Sequence, residues 1–398
     1  MRRGEMVGPR SAYLVVPVYL NISYPEMTSS PKPSDATPAL VLGGGGARTA
    51  YQAGVLRYLG EAFPETPIPI ITASGMGAVN AALLAGQAQP WPEATRAVGE
   101  LWSALRPNRV YEPQSLWDLV GQLVRHAPST RQSLLDPAPL RNQLVDRLPT
   151  ASGGTLAGGK EATEEGWLEA MAVTTTHYAS LTTVTWTQGQ SLEGWPQARR
   201  SARTTALTID HAMAAGALAL LYPAVSIQDE WHGAGAGMLH PLSPALRLGG
   251  DRILAVSTRP ETEEKTGAEE ESYPSPLQIA SILSNTLFED TVDADAASLD
   301  RINRLARKLS PDEREGLDPV DVFVLRPSVD LTAVAEGLDV GVGASLGAVL
   351  QYLHGEETRL PDLSSMLLYE PEYLRRLLLI GYTDAQNQHD RIAHVLRS

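Results

Sequence analysis

Residues 70–82 read Ile-Ile-Thr-Ala-Ser-Gly-Met-Gly-Ala-Val-Asn-Ala-Ala, and the interpretation of the whole chain starts from this stretch. A run rich in isoleucine, residues 68–72, leads into small residues and then into an alanine- and leucine-rich run, residues 78–85. A short β-branched segment followed by a longer helix-forming one is typical of a strand, a sharp turn and a helix. The stretch therefore predicts a strand–turn–helix unit.

The predicted turn has the spacing of a nucleophile elbow, the motif Gly-x-Ser-x-Gly that places a serine at the tip of a strained turn. Glycines flank the tip because the two chain segments lie close together there. In this sequence the five positions are Ala73, Ser74, Gly75, Met76 and Gly77. Gly75 holds the tip and has no side chain that could attack a carbonyl carbon. The turn of an active site is thus predicted without its nucleophile.

A second glycine-rich turn precedes the elbow by about thirty residues. Residues 39–42 predict a buried strand, residues 43–48 read Gly-Gly-Gly-Gly-Ala-Arg, and residues 51–58 predict a helix. This arrangement presents backbone N–H groups to an anion. It lacks the lysine and the Ser/Thr of a phosphate-binding P-loop, and its spacing is not Gly-x-Gly-x-x-Gly. A tight turn and a phosphate cradle are the alternatives, but its place before the elbow better suits an oxyanion hole.

The composition limits the partners and compartments that we expect. The chain has 398 residues, a formal net charge of −14 and no cysteine. An acidic surface disfavours nucleic acid and anionic lipid headgroups, and the lack of cysteine excludes disulfides, thiolate catalysis and cysteine-based metal sites. We expect no cofactor, no metal, no nucleic-acid partner and a cytoplasmic location, free or peripheral to a membrane or a larger assembly.

The N-terminal residues differ from the rest of the chain. The apolar run over residues 12–20 is interrupted by Pro17 and predicts a strand or docking segment in preference to a signal peptide. Residues 28–37 are rich in Ser and Pro and predict a flexible linker. We therefore expect residues 1–37 to form an extension that docks on another protein or on a second copy, packing on its own domain being the alternative.

The remaining chain, residues 38–398, predicts one domain with a helical C-terminal part. Strands alternate with helices along it, which indicates a mostly parallel sheet covered on both faces, a three-layer α/β/α fold. The longest further apolar run, residues 212–225, is too short to cross a bilayer and contains Gly216 and Pro223, so we expect no transmembrane segment. Further strands are predicted over residues 168–176, 182–187, 223–227, 252–257 and 321–325. Helices are predicted over residues 93–105, 116–126 and 207–221, and another within residues 134–148.

Three blocks of this sequence resemble the patatin-like phospholipase family, specifically its bacterial soluble members. Residues 44–56 are similar to the family's glycine-rich oxyanion segment and helix, and residues 71–82 to its elbow. Residues 223–256 are similar to the region that carries the family's catalytic aspartate. With softer similarity further on, the resemblance covers about residues 38–398 and implies a patatin-like fold with lipid acyl hydrolase ancestry.

The resemblance also implies which residues should do the chemistry, and both catalytic positions are substituted. Family members use a serine at the elbow tip and an aspartate in Asp-Gly-Gly or Asp-Gly-Ala. Here Gly75 stands at the serine position and Ala234 at the aspartate position, with Gly233 as the alternative equivalent. The family's oxyanion and ligand-binding positions fall on Gly44, Gly45, Gly46, Arg48, Met76 and Gly77.

Nearby residues offer poor substitutes for the lost pair. Ser74 lies one position before the tip, where its side chain should point away from the glycine loop. Asp229 and His232 lie near the aspartate position and are expected to be surface residues at a strand end. Asp210 and His211 are expected at a helix start, in an N-cap role.

These observations favour a pseudoenzyme, a patatin-like fold retained for binding, scaffolding or assembly, with a lipid or acyl ligand in a vestigial pocket as one form of binding. The alternative is an active lipid acyl hydrolase, a phospholipase or esterase, that uses a displaced nucleophile such as Ser74. A nucleotide-binding module built on the glycine loop is a third interpretation, and the missing lysine disfavours it.

Overall fold

The structure is a computed structural model that describes residues 37–86, 89–113, 133–148, 155–156, 167–189, 199–219, 221–234, 240–261, 291–314, 317–338 and 361–397. The N-terminal extension, residues 1–37, lies outside this described part except for its last residue. The helix predicted over residues 116–126 lies outside it as well.

The described part contains eleven strands and twelve α-helices. The strands are β1 Pro38–Leu42, β2 Ile70–Ser74, β3 Glu112–Pro113, β4 Leu135–Asp136, β5 Ala170–His177, β6 Thr182–Gly189, β7 Arg200–Thr204, β8 Val225–Ile227, β9 Glu230–Gly233, β10 Arg252–Val256 and β11 Asp321–Leu325. The helices are α1 Ala50–Ala62, α2 Gly77–Gly86, α3 Trp91–Ala104, α4 Pro107–Val110, α5 Ala138–Arg147, α6 Ile209–Gly216, α7 Ser243–Arg247, α8 Thr291–Ala306, α9 Leu331–Glu336, α10 Pro361–Leu367, α11 Pro371–Asn387 and α12 His389–Arg397. Two 3₁₀ turns, Gly46–Thr49 and Pro311–Glu313, complete the described elements.

Nine of these strands form one mainly parallel sheet. The order is β11-β10-β1-β2-β5-β6-β7, with β9 paired to β5 and β8 paired to β9. Every neighbouring pair from β11 to β5 is parallel. Strand β6 runs antiparallel to β5 because the turn between them has only four residues, and a parallel connection needs a dozen or more. The predicted mainly parallel sheet is confirmed.

Helices cover both faces of this sheet, because alternate residues of each strand point to opposite faces. On one face Leu40, Leu42 and Ala73 join a core that includes residues of α1, α2, α3 and α11. On the other face Ala39 and Val41 join a smaller core that includes residues of α7 and α8. The predicted three-layer α/β/α arrangement is therefore confirmed.

Helices α1 and α11 cross with their backbones in close contact, and the contact depends on one glycine from each helix. A Cβ atom added to Gly54 would overlap the carbonyl oxygen of Leu378, and one added to Gly381 would overlap that of Tyr51. A backbone carbonyl cannot swing aside as a side chain can. The crossing therefore requires glycine at both positions.

We expect Gly54→Ala to lower the free energy of unfolding by about 1–3 kcal/mol, because an overpacked core must shift backbone to accept the methyl group. Gly99→Ala in α3 is the matched control, since a Cβ atom at Gly99 meets nothing within 4 Å. It should be neutral or stabilising by about 0.5–1 kcal/mol, the usual preference for alanine in a helix. Urea unfolding of both variants measures this, and equal destabilisation of the two would contradict the packing argument.

Helix α6 begins where it was predicted, but its N-cap residue is Thr208, so Asp210 and His211 lie in the first turn and neither is the N-cap. The backbone N–H of Thr208 donates to His211 Nδ1 at 3.1 Å, which forms a reciprocal capping box with the Thr208 side chain. Asp210 lies on the surface and pairs with Arg141 at 3.1 Å. The helix ends at Gly216, five residues before the predicted end.

The prediction that His232 is a surface residue was wrong. Asp229, which was also predicted to be a surface residue, does lie in an exposed turn. His232 is completely buried, because its strand β9 pairs with the end of β5. Its Nδ1 lies 3.1 Å from Thr175 Oγ1, which also accepts a 2.8 Å hydrogen bond from Trp186 Nε1. A histidine at the end of a short strand, between Trp231 and Gly233, is thus a core residue of this fold.

Burial lowers the pKa of His211 from its usual 6.5 to about 4, with Asp210 opposing the shift and His232 adding to it. Between pH 4 and 6.5 this histidine is protonated in the unfolded chain but neutral in the native state. The free energy of unfolding should therefore fall as the pH drops from 6.5 to 4. The loss due to His211 should reach roughly 3 kcal/mol. His211→Gln keeps a capping-box acceptor but does not titrate. Its unfolding free energy should vary less with pH in this window, and identical pH profiles for the two proteins would contradict the assignment.

Candidate functional site

The predicted elbow is present at the carboxyl end of β2. The strand ends at Ser74, and α2 begins at Gly77. Between them Gly75 adopts a φ of 52°, in the left-handed region that L-residues rarely occupy. The N–H of Ala78 donates to the carbonyl oxygen of Gly75 at 3.1 Å and closes the turn.

The glycine loop after β1 lies against this turn. Strands β1 and β2 pair in parallel with Leu42 opposite Ala73, which brings the loops that follow them to the same edge of the sheet. A Cβ atom built on Gly75 would stand 2.6 Å from the Cα atom of Gly44, a distance that real Cβ contacts essentially never show. The backbone of Gly44 therefore occupies the space that a serine side chain at position 75 would enter.

Hydrogen bonds fix the glycine loop in this position. Thr258 Oγ1 donates to the carbonyl oxygen of Gly44 at 3.0 Å. Gln52 Nε2 donates to the carbonyl oxygens of Gly43, at 2.9 Å, and of Val256, at 3.2 Å. These bonds join the loop both to the end of β10 and to α1, so the loop cannot retreat from Gly75 without breaking them.

A buried polar network extends this support to α2 and α3. Asn80 Nδ2 donates to Gln52 Oε1 at 3.1 Å, and Trp102 Nε1 donates to Asn80 Oδ1 at 2.6 Å. All three side chains are fully buried. Sequence reasoning missed the supporting roles of Gln52 and Trp102. The signal that could have revealed this network is an amide side chain on an otherwise apolar helix face, Gln52 in α1 and Asn80 in α2.

Gly45, Gly46 and Arg48, which were predicted to bind an oxyanion or ligand, are packed against neighbouring elements of the protein. A Cβ atom on Gly45 would stand 2.5 Å from Thr258 Oγ1, and one on Gly46 would overlap the backbone of Met366. The Arg48 side chain is 2% exposed, and its Nη1 lies 3.5 Å from Thr332 Oγ1 in α9. This arginine joins the loop to α9 and does not face an open cleft.

Met76 and Gly77 follow the elbow tip, and each is packed closely. Gly77 approaches the carbonyl oxygens of Leu42 and Gly43 so closely that a Cβ atom would overlap both. Met76 lines an apolar cavity of about 20 Å³ that also includes Tyr222 and Tyr369. This volume leaves no room for an acyl chain while Met76 keeps its conformation.

The cavity offers no base for ester chemistry. Burial holds the pKa of Tyr222 and of Tyr369 well above the usual tyrosine value, so both hydroxyl groups stay protonated. The predicted aspartate position, Ala234, follows β9, and its N–H donates to the carbonyl oxygen of Ala217 at 2.8 Å. Its alternative equivalent, Gly233, is buried beneath the Tyr178 ring. Neither position carries an ionisable group.

Ser74 lies on the opposite face of the sheet from Met76. It is opposite Thr174 in the parallel register and lines a second cavity, of about 30 Å³, together with His240. His240 Nδ1 lies 2.9 Å from Asp295 Oδ1. Within the described ranges no hydrogen bond joins Ser74 to His240, and sequence reasoning predicted neither His240 nor Asp295.

The described part of the chain contains neither a candidate metal cluster nor a helix that could span a membrane. No group of three or more His, Asp or Glu side chains there is close enough to hold a metal ion. Among the helices in these ranges, none has the length and apolarity that crossing a bilayer requires.

Comparisons with known proteins identify relatives by family and by fold. The family model for patatin-like phospholipase matches residues 40–246, which is just over half of the chain and includes the glycine loop, the elbow and the aspartate position. The softer resemblance of the later residues lies beyond that match. No curated protein sequence matches significantly.

Solved structures show distant likeness. Human GIVD cytosolic phospholipase A2 is 12% identical with a TM-score of 0.42, and the match covers 91% of this chain and 60% of that one. VipD from Legionella pneumophila is 11% identical with a TM-score of 0.37, covering 90% of this chain and 67% of that one. This chain thus spans about 60% of the length of the human enzyme. The assignment depends on the matched family model and on the elbow described above: the chain belongs to the patatin-like phospholipase family.

Proposed function

We propose that this chain is a catalytically inactive patatin-like protein, a pseudoenzyme whose fold serves binding, scaffolding or assembly. One observation carries the proposal. The elbow tip is Gly75, and the Cβ atom of a nucleophile there would stand 2.6 Å from the Cα atom of Gly44, too close for a real contact. The site is therefore closed by main chain as well as lacking a reactive side chain.

The chemistry of acyl transfer explains why this closure matters. Covalent ester hydrolysis needs a nucleophilic oxygen at the tip and a base to take its proton. Gly75 supplies no oxygen, and Ala234 supplies no carboxylate. Backbone donors in a glycine loop stabilise only a charge that an attack has created. Loss of all members of a catalytic unit lowered the rate by about 10⁶-fold in a well-studied protease, which sets the scale of the effect that we expect.

Ser74 as a displaced nucleophile is the alternative, and one observation favours it. Ser74 lines the same cavity as His240, which is paired with the Asp295 carboxylate, so the three residue types of a serine hydrolase triad are near one another. The small volume of the cavity and the lack of a hydrogen bond between Ser74 and His240 disfavour it. Activity through Ser74 would also need an acyl chain to enter a space of about 30 Å³.

A binding role has support on the protein surface. Tyr178 and Leu181, in the turn between β5 and β6, and Trp231 in β9 are exposed apolar side chains. The N–H of Tyr178 donates to the carbonyl oxygen of Trp231 at 2.9 Å, so the turn and β9 are adjacent. Exposed apolar clusters of this kind are typical of protein interaction sites. Docking through residues 1–37 is a second route to a partner, and an acyl ligand would first have to displace Met76.

We expect the purified protein to hydrolyse a chromogenic short-chain ester no faster than buffer, with no initial burst. An ordinary enzyme of this class would turn over at about 1–10³ s⁻¹. Ser74→Ala is the matched control and should leave the background rate unchanged. Turnover in the ordinary range that disappears in Ser74→Ala would overturn the proposal and establish the displaced nucleophile.

Gly75→Ser should destabilise the protein and should not restore activity, even when combined with Ala234→Asp. The left-handed backbone costs a side chain about 1–2 kcal/mol, and overpacking against Gly44 adds about 1–3 kcal/mol. Gly249→Ser separates the two effects, because Gly249 also has a positive φ, 94°, but a Cβ atom there meets nothing within 4 Å. Denaturant unfolding should show the larger loss for Gly75→Ser. Equal losses of unfolding free energy in the two variants would show that the contact with Gly44 adds no destabilisation.

A further inference from the structure

The cavity that contains Ser74 lies on the sheet face opposite the elbow cavity and has both apolar and hydroxyl-bearing walls. It lies between the sheet and α7, has a volume of about 30 Å³, and admits one compact group. Six hydroxyl side chains and two basic side chains contribute to its walls, Thr183 and Ser243 among them. The other four hydroxyl residues are Thr72, Ser74, Thr174 and Thr185, and the basic residues are Arg200 and His240. We call it the hydroxyl cavity.

Two hydroxyl groups in the hydroxyl cavity have unused hydrogen-bonding capacity. Thr72 is 2% exposed, and its buried Oγ1 has no hydrogen-bond partner among the described residues. Ser74 is 6% exposed, and none of the hydrogen bonds found in the described part involves its side chain. Buried hydroxyl groups are nearly always paired in native proteins, so an unpaired one beside a cavity indicates a missing ligand or water.

The charges around the hydroxyl cavity favour an anion. Burial lowers the pKa of Arg200, the charge of the Asp295 carboxylate opposes that shift, and the charge of the Arg247 guanidinium adds to it. Two guanidinium groups therefore lie near one carboxylate. That carboxylate is already engaged, because Asp295 Oδ1 lies 2.9 Å from His240 Nδ1 and Asp295 Oδ2 accepts the N–H of Leu242 at 2.9 Å. In the described part Arg200 itself makes no ion pair.

We propose that the hydroxyl cavity binds a phosphate group, with Arg200 as the charge partner, Thr72 and Ser74 as hydrogen-bond donors, and His240 as a further residue of the wall. The donors come from β2, from β7 and from the segment before α7, and so approach from several directions. A tetrahedral phosphate accepts hydrogen bonds from several directions, whereas a carboxylate is planar and is best matched by a single guanidinium fork. The proposal does not depend on whether the elbow is inactive.

Isothermal titration of the full chain with inorganic phosphate, at constant ionic strength in sodium chloride, tests this proposal. We expect 1:1 binding with a Kd of about 1 mM or tighter. Arg200→Gln and Thr72→Val should each weaken binding, Arg200→Gln by at least about tenfold because it removes a charged donor. Arg301→Gln on the exposed face of α8 removes the same charge elsewhere and should leave the affinity unchanged.

Two vesicle arms identify the source of the phosphate. Vesicles that contain phosphatidic acid test for a lipid phosphomonoester, and vesicles of phosphatidylcholine alone are the control. Binding to phosphatidic acid that is lost in Arg200→Gln supports a lipid source, and binding of inorganic phosphate alone supports a free one. If Thr72→Val fails to fold by circular dichroism, Ser74→Ala replaces it. No saturable phosphate binding, or binding that is unchanged in Arg200→Gln, would overturn the proposal.

Discussion

The backbones of Gly44 and Gly75 are in contact at the carboxyl edge of the sheet, and strand pairing and hydrogen bonds around them stabilise this contact. Parallel pairing of β1 and β2 places both turns at the same edge. Thr258 and Gln52 hold the carbonyl groups of the glycine loop, and the Asn80–Trp102 hydrogen bond continues the support into α2 and α3. A nucleophile elbow is normally completed by a side chain at its tip, whereas here main chain fills that space.

The sheet separates two cavities of different chemistry. The cavity at Met76 is apolar and is lined by tyrosines that stay protonated. The hydroxyl cavity on the other face adds hydroxyl groups and Arg200 to its apolar walls. The alternation of side chains along β2 produces this division, because Ala73 points to one face and Ser74 to the other. Two consecutive residues of β2 therefore face opposite sides of the sheet, with the cavity at Met76 on one side and the hydroxyl cavity on the other.

The sequence predicted the elements around the elbow well, because short β-branched runs, glycines and alanine-rich helices are local signals. It missed β7, Arg200–Thr204, whose residues are mostly polar and show no apolar alternation, and it missed the burial of His232. The supporting contacts were also beyond local reasoning. Thr258 and Gly44 are 214 residues apart in the chain, and His240 and Asp295 are 55 apart. Such pairs become neighbours only through the order of the strands, which periodicity does not encode.

We propose that no serine in the described part of the chain forms an acyl-enzyme, because the elbow tip is a glycine and the Gly44 backbone leaves a side chain there too little space. Intact mass spectrometry of the full chain after incubation with an acyl fluorophosphonate tests this most directly, since the probe records a reactive serine whether or not turnover is fast. The account predicts an unchanged mass after prolonged incubation with excess probe. A stoichiometric adduct that peptide mapping places on Ser74, and that Ser74→Ala abolishes, would contradict it.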